Sequence, residues 1–275
     1  MTRVLFGTAG IRCATKGNGT EGGIQKVREI GLDAMELEFV QTVNISREKA
    51  PIVKAAAKKE NVVLTCHAPY YINLNAIDAE KLEAGKKRLV KAAEIAALCG
   101  GVSVAFHPAF YLGMDKEKVY EKVKRELSAV AAELKNMGCG ITIRPETTGK
   151  KSQFGDLNEI LRLCQEIDNV QPCIDYAHMH AREGKCNSHG EFSEILAVVE
   201  KALGKEALKK MHIQIAGVNY NGSGERNHLN LGESDLNYKD IARSWKEFNI
   251  AGVVISESPN IEGDALMLKE AYNNA

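Results

Sequence analysis

Short apolar runs rich in β-branched residues alternate along this chain with longer stretches whose apolar positions recur at helical spacing. The alternation continues to the last residues without a linker or low-complexity segment. Eight runs read as strands: RVLFGTA (3–9), AMELEFV (34–40), VVLTCH (62–67), VSVAFH (102–107), GITIRPE (140–146), VQPCID (170–175), MHIQIAG (211–217) and GVVISE (252–257). Between them lie amphipathic segments. The stretch 78–99 places Leu82, Leu89, Ala92, Ala93 and Ala96 on one stripe, and 116–138 closes on Gly138 as a helix stop. Eight strand–helix repeats predict a single (β/α)8 TIM barrel spanning 1–275, with its chemistry at the C-terminal ends of the strands.

Composition narrows the classes. Lys and Arg number 36 and so do Asp and Glu, so an anionic partner must be met by a local patch rather than by the field of the whole protein. The apolar runs are too short and too interrupted for a membrane span, and the opening MTRVLFGTAG lacks the apolar core of a secretion signal, so the expectation is a cytoplasmic monomer with no membrane partner. Seven scattered cysteines without a C-x-x-C pair indicate neither a disulfide framework nor a thiolate zinc site.

The strand ends carry the chemistry. The third run ends in His67, the fourth in His107, the fifth in Glu146, the sixth in Asp175 and the eighth in Glu257, while the seventh begins at Met211–His212. Imidazoles with carboxylates and no thiolate suit zinc, manganese or a similar ion, and six such ligands exceed one tetrahedral site. His178 and His228 are spare ligands for a further ion. Glu36 and Glu38 alternate with Met35, Leu37 and Phe39 and read as an inner polar layer, with Glu38 near the ligands. Arg12, Lys16, Arg182, Lys185 and Arg226 follow strand ends and would surround the metals, whereas the lysine pairs at 58–59 and 209–210 read as solvated helix faces.

HAPYYINL (67–74), FHP (106–108), PETTG (145–149), CIDYAH (173–178), MHIQIAG (211–217), HLNLGE (228–233) and SESPN (256–260) together resemble the endonuclease IV family of apurinic/apyrimidinic endonucleases. FGTAGI (6–11) and GLDAMELEFV (31–40) resemble its archaeal branch. The resemblance implies two to three zinc ions, with manganese as a possible substitute. His67 and His107 would hold one ion, Glu146 would bridge to a second shared with Asp175, His212 and Glu257, and His178 with His228 would hold the third. It implies double-stranded DNA with abasic sites as the partner, cleaved on the 5′ side by metal-activated water, with Tyr70, Asn73, Arg12, Arg182 and Arg226 against the substrate. The family's third-ion loop reads Asp-x-His; here Arg226 stands two before His228, and Glu225 or His180 is the candidate replacement. The alternative is a sugar isomerase or epimerase of the related barrels, using Glu146, Asp175, His212 and Glu257 on one ion. A binding barrel that has lost cleavage is the non-enzyme reading.

Overall fold

A computed structural model describes residues 2–10 and 19–275. The barrel strands are β1 (Val4–Ala9), β2 (Ala34–Glu38), β3 (Val63–His67), β4 (Ser103–Phe106), β6 (Thr142–Pro145), β8 (Cys173–Asp175), β9 (Met211–Ile215) and β12 (Gly252–Ser256). Two small antiparallel pairs stand outside them: β5 (Ala109–Phe110) with β7 (Gln153–Phe154), and β10 (Gly217–Asn221) with β11 (Gly224–Leu229). The eight barrel strands are all parallel, in the order β6-β4-β3-β2-β1-β12-β9-β8. Bridges Ile143↔Val170 and Glu146↔Cys173 join the two ends, so the sheet closes on itself.

All eight expected strands are present, trimmed at their ends. The sixth loses most because Pro172 has no backbone N–H for a ladder and pairing begins at Cys173. The helices are α1 (Gly19–Glu29), α2 (Ala50–Glu60), α3 (Ala79–Leu98), α4 (Lys116–Asn136), α5 (Leu157–Glu166), α6 (Tyr176–Glu183), α7 (His189–Leu203), α8 (Tyr238–Glu247) and α9 (Glu262–Asn273). Asp78 starts α3 by accepting the backbone N–H groups of Glu80 and Lys81, and Asp115 starts α4 through Lys118 N–H. Leu89, Ala92, Ala93 and Ala96 are buried, as the stripe on 78–99 predicts.

The main core lies between strands and helices. Trp245 of α8, fully buried, meets the Tyr176 ring at 5.7 Å edge-on, and Tyr176 meets Phe192 of α7 at 5.9 Å. Inside the barrel, Ala34, Val253 and Ile255 form a small apolar layer. Next to it lies a polar one. Glu36 of β2 accepts from Thr65 Oγ1 at 2.7 Å and from Gln214 Nε2 at 2.7 Å, and His212 Nδ1 lies 3.1 Å from Ser103 Oγ. Strands β2 and β9 are not neighbours in the sheet, so the Glu36–Gln214 bond crosses the barrel interior. This is the inner polar layer expected of Glu36.

Trp245→Ala should lower the unfolding free energy by roughly 3–5 kcal/mol, because α8 loses its aromatic contact with Tyr176 of α6 and a large cavity opens. Urea denaturation monitored by circular dichroism measures it; an unchanged midpoint would show that this layer does not hold the helices to the barrel.

Candidate metal centre

Strand ends and the loops after them bring titratable side chains together at the C-terminal mouth. Ligand atoms of His67, His107 and Glu146 lie within 4.8 Å of one another, as do those of Glu146, Asp175 and His178, and those of His178, Glu225 and His228. Glu146 belongs to the first two groups and His178 to the last two, so the three form a continuous chain. Glu257 joins it at the side, with Oε2 4.0 Å from His228 Nδ1, and groups with Glu36 and Glu38 in a fourth set.

Three of the imidazoles are held by the same device. His67 Nδ1 lies 2.8 Å from Ala68 O, His178 Nδ1 2.9 Å from Thr147 O, and His228 Nδ1 3.2 Å from Glu257 O. A ring that donates its Nδ1 proton to a carbonyl offers only a lone pair at Nε2, the form that ligates a cation. Those Nε2 positions face carboxylate oxygens; against the burial penalty, Glu146 lifts His67, and Asp175, Glu146 and Glu225 lift His178, well above the usual imidazole range, so a proton holds each place until a cation takes it. His67 Nε2 is 3.0 Å from Glu146 Oε2, His178 Nε2 is 3.3 Å from Glu225 Oε2, and His228 Nε2 is 3.6 Å from Glu225 Oε1. Such pairs are stable only around a shared proton or cation.

The carboxylates reveal the same imbalance. Glu146 Oε1 and Asp175 Oδ2 are buried without a hydrogen-bond partner among the described residues. Glu146 Oε1 does sit 2.9 Å from His178 Nδ1, but the ring geometry directs that proton to Thr147 O. Burial, reinforced by Glu146 and Asp175, drives the Glu257 carboxyl well above its usual range. Burial raises Asp175 to about 7, with His178 opposing and Glu146 adding, and burial with the Glu36 charge raises Glu38 to about 8. At Glu146 the burial penalty is overcome by the His107, His178 and His67 rings, which hold it well below the usual range. Burial pushes His107 down to about 4, the neutral form a cation requires. Carboxyl groups are therefore crowded where water cannot solvate their charge, which draws Glu257, Asp175 and Glu38 toward the protonated form, and imidazole with carboxylate is a donor set that divalent zinc or manganese satisfies.

Glu225 is brought beside His178 and His228 through a backbone irregularity. Glu225 and His228 are three residues apart and on a regular strand would point to opposite faces. Asn227 pairs with Asn219 while Glu225 pairs with Tyr220, so Arg226 is the extra residue of a β-bulge. The bulge restores the alternation and turns both side chains toward His178; Arg226 is left exposed. Close backbone approach secures the hairpin. Gly224, at φ 106°, lies where a Cβ would meet Gly149 O at 2.2 Å, and a Cβ on Gly149 would meet Glu225 Cβ at 2.8 Å and His178 Cδ2 at 3.0 Å. The GSG stretch (222–224), which reads in sequence as a flexible loop, is thus the turn of a fixed hairpin. The Asn221–Gly222 pair beside two strand-like runs is the signal that finds it.

Several expected neighbours of the site lie elsewhere. His212 belongs to none of the groups: it pairs with Cys173, two residues before Asp175, and its Nε2 points at Glu36 Oε2, 3.0 Å away in the interior layer. As the second residue of β9 it lies a step inside the groups above, against Glu36. Gln214 occupies the level of Asp175, bonded to Glu36 and accepting from Cys173 Sγ at 3.1 Å. His180 bonds Lys185 O and Asp235 instead of joining the cluster. Arg182 is 5% exposed and donates to Thr148 O, Thr148 Oγ1, Lys150 O and Gln153 O, so it holds the loop after β6 rather than facing solvent. Asn73 Oδ1 accepts from the backbone of Asn75 and Phe110, tying two rim loops. Tyr70 is 54% exposed with its ring 5.4 Å from His67 and 6.0 Å from His107, at the mouth. Lys150, Lys151 and Lys185 are exposed; Arg12 and Lys16 lie outside the described residues.

The chain belongs to the family of xylose isomerase-like TIM barrels, whose family model matches residues 24–273. An uncharacterised protein of Methanocaldococcus jannaschii is 41% identical over 271 residues, 98% of this chain and 97% of its own length. A probable endonuclease 4 of Mycoplasma pneumoniae is 24% identical over 202 residues, 72% of this chain and 68% of its own. Among solved structures, endonuclease IV from Thermus thermophilus superposes with a TM-score of 0.74 at 20% identity, covering 99% of this chain and 98% of that one. A D-tagatose 3-epimerase-like protein superposes with a TM-score of 0.75 at 20% identity, covering 98% and 96%. At such identity both likenesses speak for the fold.

Arg182→Met should lower stability by about 3 kcal/mol or more, because buried acceptors lose a charged donor that no solvent can replace. Chemical denaturation of the cation-free protein measures it. A stability equal to the parent's, with only weaker nucleic-acid binding, would return Arg182 to the surface role read from sequence.

Proposed function

We propose that this protein is a metal-dependent phosphodiester hydrolase that cleaves damaged duplex DNA on the 5′ side of abasic sites. The observation that carries the reading is the chain of three ligand groups, two of them containing two imidazoles each, linked through Glu146 and His178. A one-ion sugar epimerase needs a single group of about four ligands. In the quartet suited to that chemistry, Glu146, Asp175, His212 and Glu257, the His212 ring faces Glu36 in the interior layer, which supports the nuclease reading. The likeness to curated probable endonucleases supports the same choice.

His67, His107 and Glu146 would hold one cation and His178, Glu225 and His228 another, with Glu146 and Asp175 between them. Divalent ions bound there supply Lewis-acid neutralisation of a phosphate and water of lowered pKa. The chain's own residues do the rest. The hydrogen bonds to Ala68 O, Thr147 O and Glu257 O fix the rings in the ligating tautomer. Tyr70 overhangs the mouth, where its ring can stack on an extruded sugar or a neighbouring base, and an abasic nucleotide leaves the helix with no base pair to break. Lys150 bridges to Gly224 beside Glu225, so its ammonium, that of Lys151 and the guanidinium of Arg226 offer cations to the flanking phosphates.

An abasic duplex, an intact duplex and a panel of ketoses, each with zinc and with manganese, test the reading. Nicking is expected on the abasic strand only, leaving a 3′-hydroxyl, abolished by strong chelators and falling steeply with salt. Ketose interconversion without nicking under either metal would overturn it in favour of an epimerase. Glu146→Gln should reduce nicking by at least about a hundredfold with the fold intact, since a neutral amide cannot join two cation groups. Equal activity and metal content would show that Glu146 does not bridge. Glu225→Gln should lose one metal equivalent while Arg226→Ala keeps it. The reverse result would place the bulge, and with it the third ligand group, out of the chemistry.

A further inference from the structure

Two of the three ligands in the outermost group, Glu225 and His228, ride on the β10–β11 hairpin, while the third, His178, is on α6. A hairpin outside the barrel has no ladder to the main sheet. Its β11 strand is tied to the Gly149–Lys150 loop by the Glu225 N–H to Gly149 O bond, and its β10 strand is tied to α6 by a compact polar network. His180, 2% exposed and two residues past His178, places Nδ1 3.0 Å from Lys185 O and Nε2 3.1 Å from Asp235 Oδ1. Tyr220 of β10 donates its hydroxyl to Asp235 Oδ2 at 2.8 Å and packs edge-on against the His180 ring, centroids 4.9 Å apart. Asp235 thus joins helix and hairpin with its two oxygens.

The points of attachment matter. Tyr220 is the cross-strand partner of Glu225, and Val218 is the cross-strand partner of His228. Tyr220 is held by Asp235, and the Val218 backbone is held by the adjacent Ser234, whose Oγ accepts from Val218 N at 3.0 Å. Two consecutive residues therefore pin β10 opposite each ligand-bearing position of β11. The segment is itself fixed, because Asn187 donates Nδ2–H to Asp235 O at 2.8 Å and accepts from Asn237 N at 2.6 Å.

We propose that His180, Tyr220 and Asp235 form a latch that sets the register of the ligand-bearing hairpin against α6 and thereby assembles the His178–Glu225–His228 cation site. The three are positioning residues: none contributes an atom to a ligand group. The proposal rests on the reading of that group as one cation site. It accounts for a buried histidine in CIDYAHMH that does not ligate, and for a carboxylate shared by two elements at an otherwise exposed corner. Removing a partner of this kind leaves every ligand present and costs about 10–100-fold in metal affinity.

The test is zinc retention by the full-length protein during dialysis against graded concentrations of a chelator, read by elemental analysis, for the parent, Asp235→Ala, Tyr220→Phe, His228→Gln and the Asp235→Ala/His228→Gln double variant. His228→Gln should release one zinc equivalent. Asp235→Ala should release the same equivalent about 10–100-fold more readily than the parent while keeping the zinc at His67 and His107, and the double variant should lose no more than His228→Gln alone. Tyr220→Phe should fall between parent and Asp235→Ala. The melting temperature of the zinc-free variants should stay near the parent's, which separates a change in site geometry from a loss of fold. Parent-like zinc retention by both Asp235→Ala and Tyr220→Phe, beside a His228→Gln that loses its equivalent, overturns the latch alone. Full retention by His228→Gln overturns the cation reading of the group, and the latch with it.

Discussion

The structure depends on one electrostatic constraint: buried carboxylates held against imidazole lone pairs at one end of the barrel. Glu146 is the centre of it, 1% exposed and within reach of His67, His107 and His178. In a medium of low polarity such a set is costly unless positive charge is supplied, and protons or cations are the two sources. The opposed shifts of Glu146 and Glu257 are two sides of this shortage. A parallel barrel is suited to holding it, since each strand delivers one side chain to the same rim while the ladder beneath resists their repulsion.

The layer below serves that rim. Glu36 is itself a fully buried carboxylate, and against the burial penalty its neighbours, with hydrogen bonds from Thr65 and Gln214 among them, hold it below the usual range. His212 thus belongs to the support of the site, and the same residue type has two different roles one turn of pleat apart.

Much of this was legible in the sequence because barrel strands report their own ends. His67, His107, Glu146 and Asp175 each close an apolar run, and the period of two that buries a strand on both faces also fixes which residues reach the rim. His212 opens its run instead, and the structure turns its ring toward Glu36 inside the barrel. The bulge was less accessible. Three residues separate Glu225 from His228, and only the cross-strand register shows that Arg226 is extra and that the two face the same way. Arg182 misled for a related reason: a basic residue after a strand end is equally suited to phosphate and to backbone carbonyls, and the path of the 147–154 loop, invisible in sequence, decided for the carbonyls.

The bulge turns Glu225 and His228 to one side and leaves Arg226 in solvent. The account's central claim is that imidazole-rich cation sites lie at both ends of the Glu146–His178 chain. The most direct measurement is a diffraction experiment on crystals grown with zinc, recorded on both sides of the zinc absorption edge. The account predicts anomalous peaks among His67, His107 and Glu146 and among His178, Glu225 and His228. A single peak surrounded by Glu36, Glu38 and Glu257, with none beside the imidazoles, would contradict it.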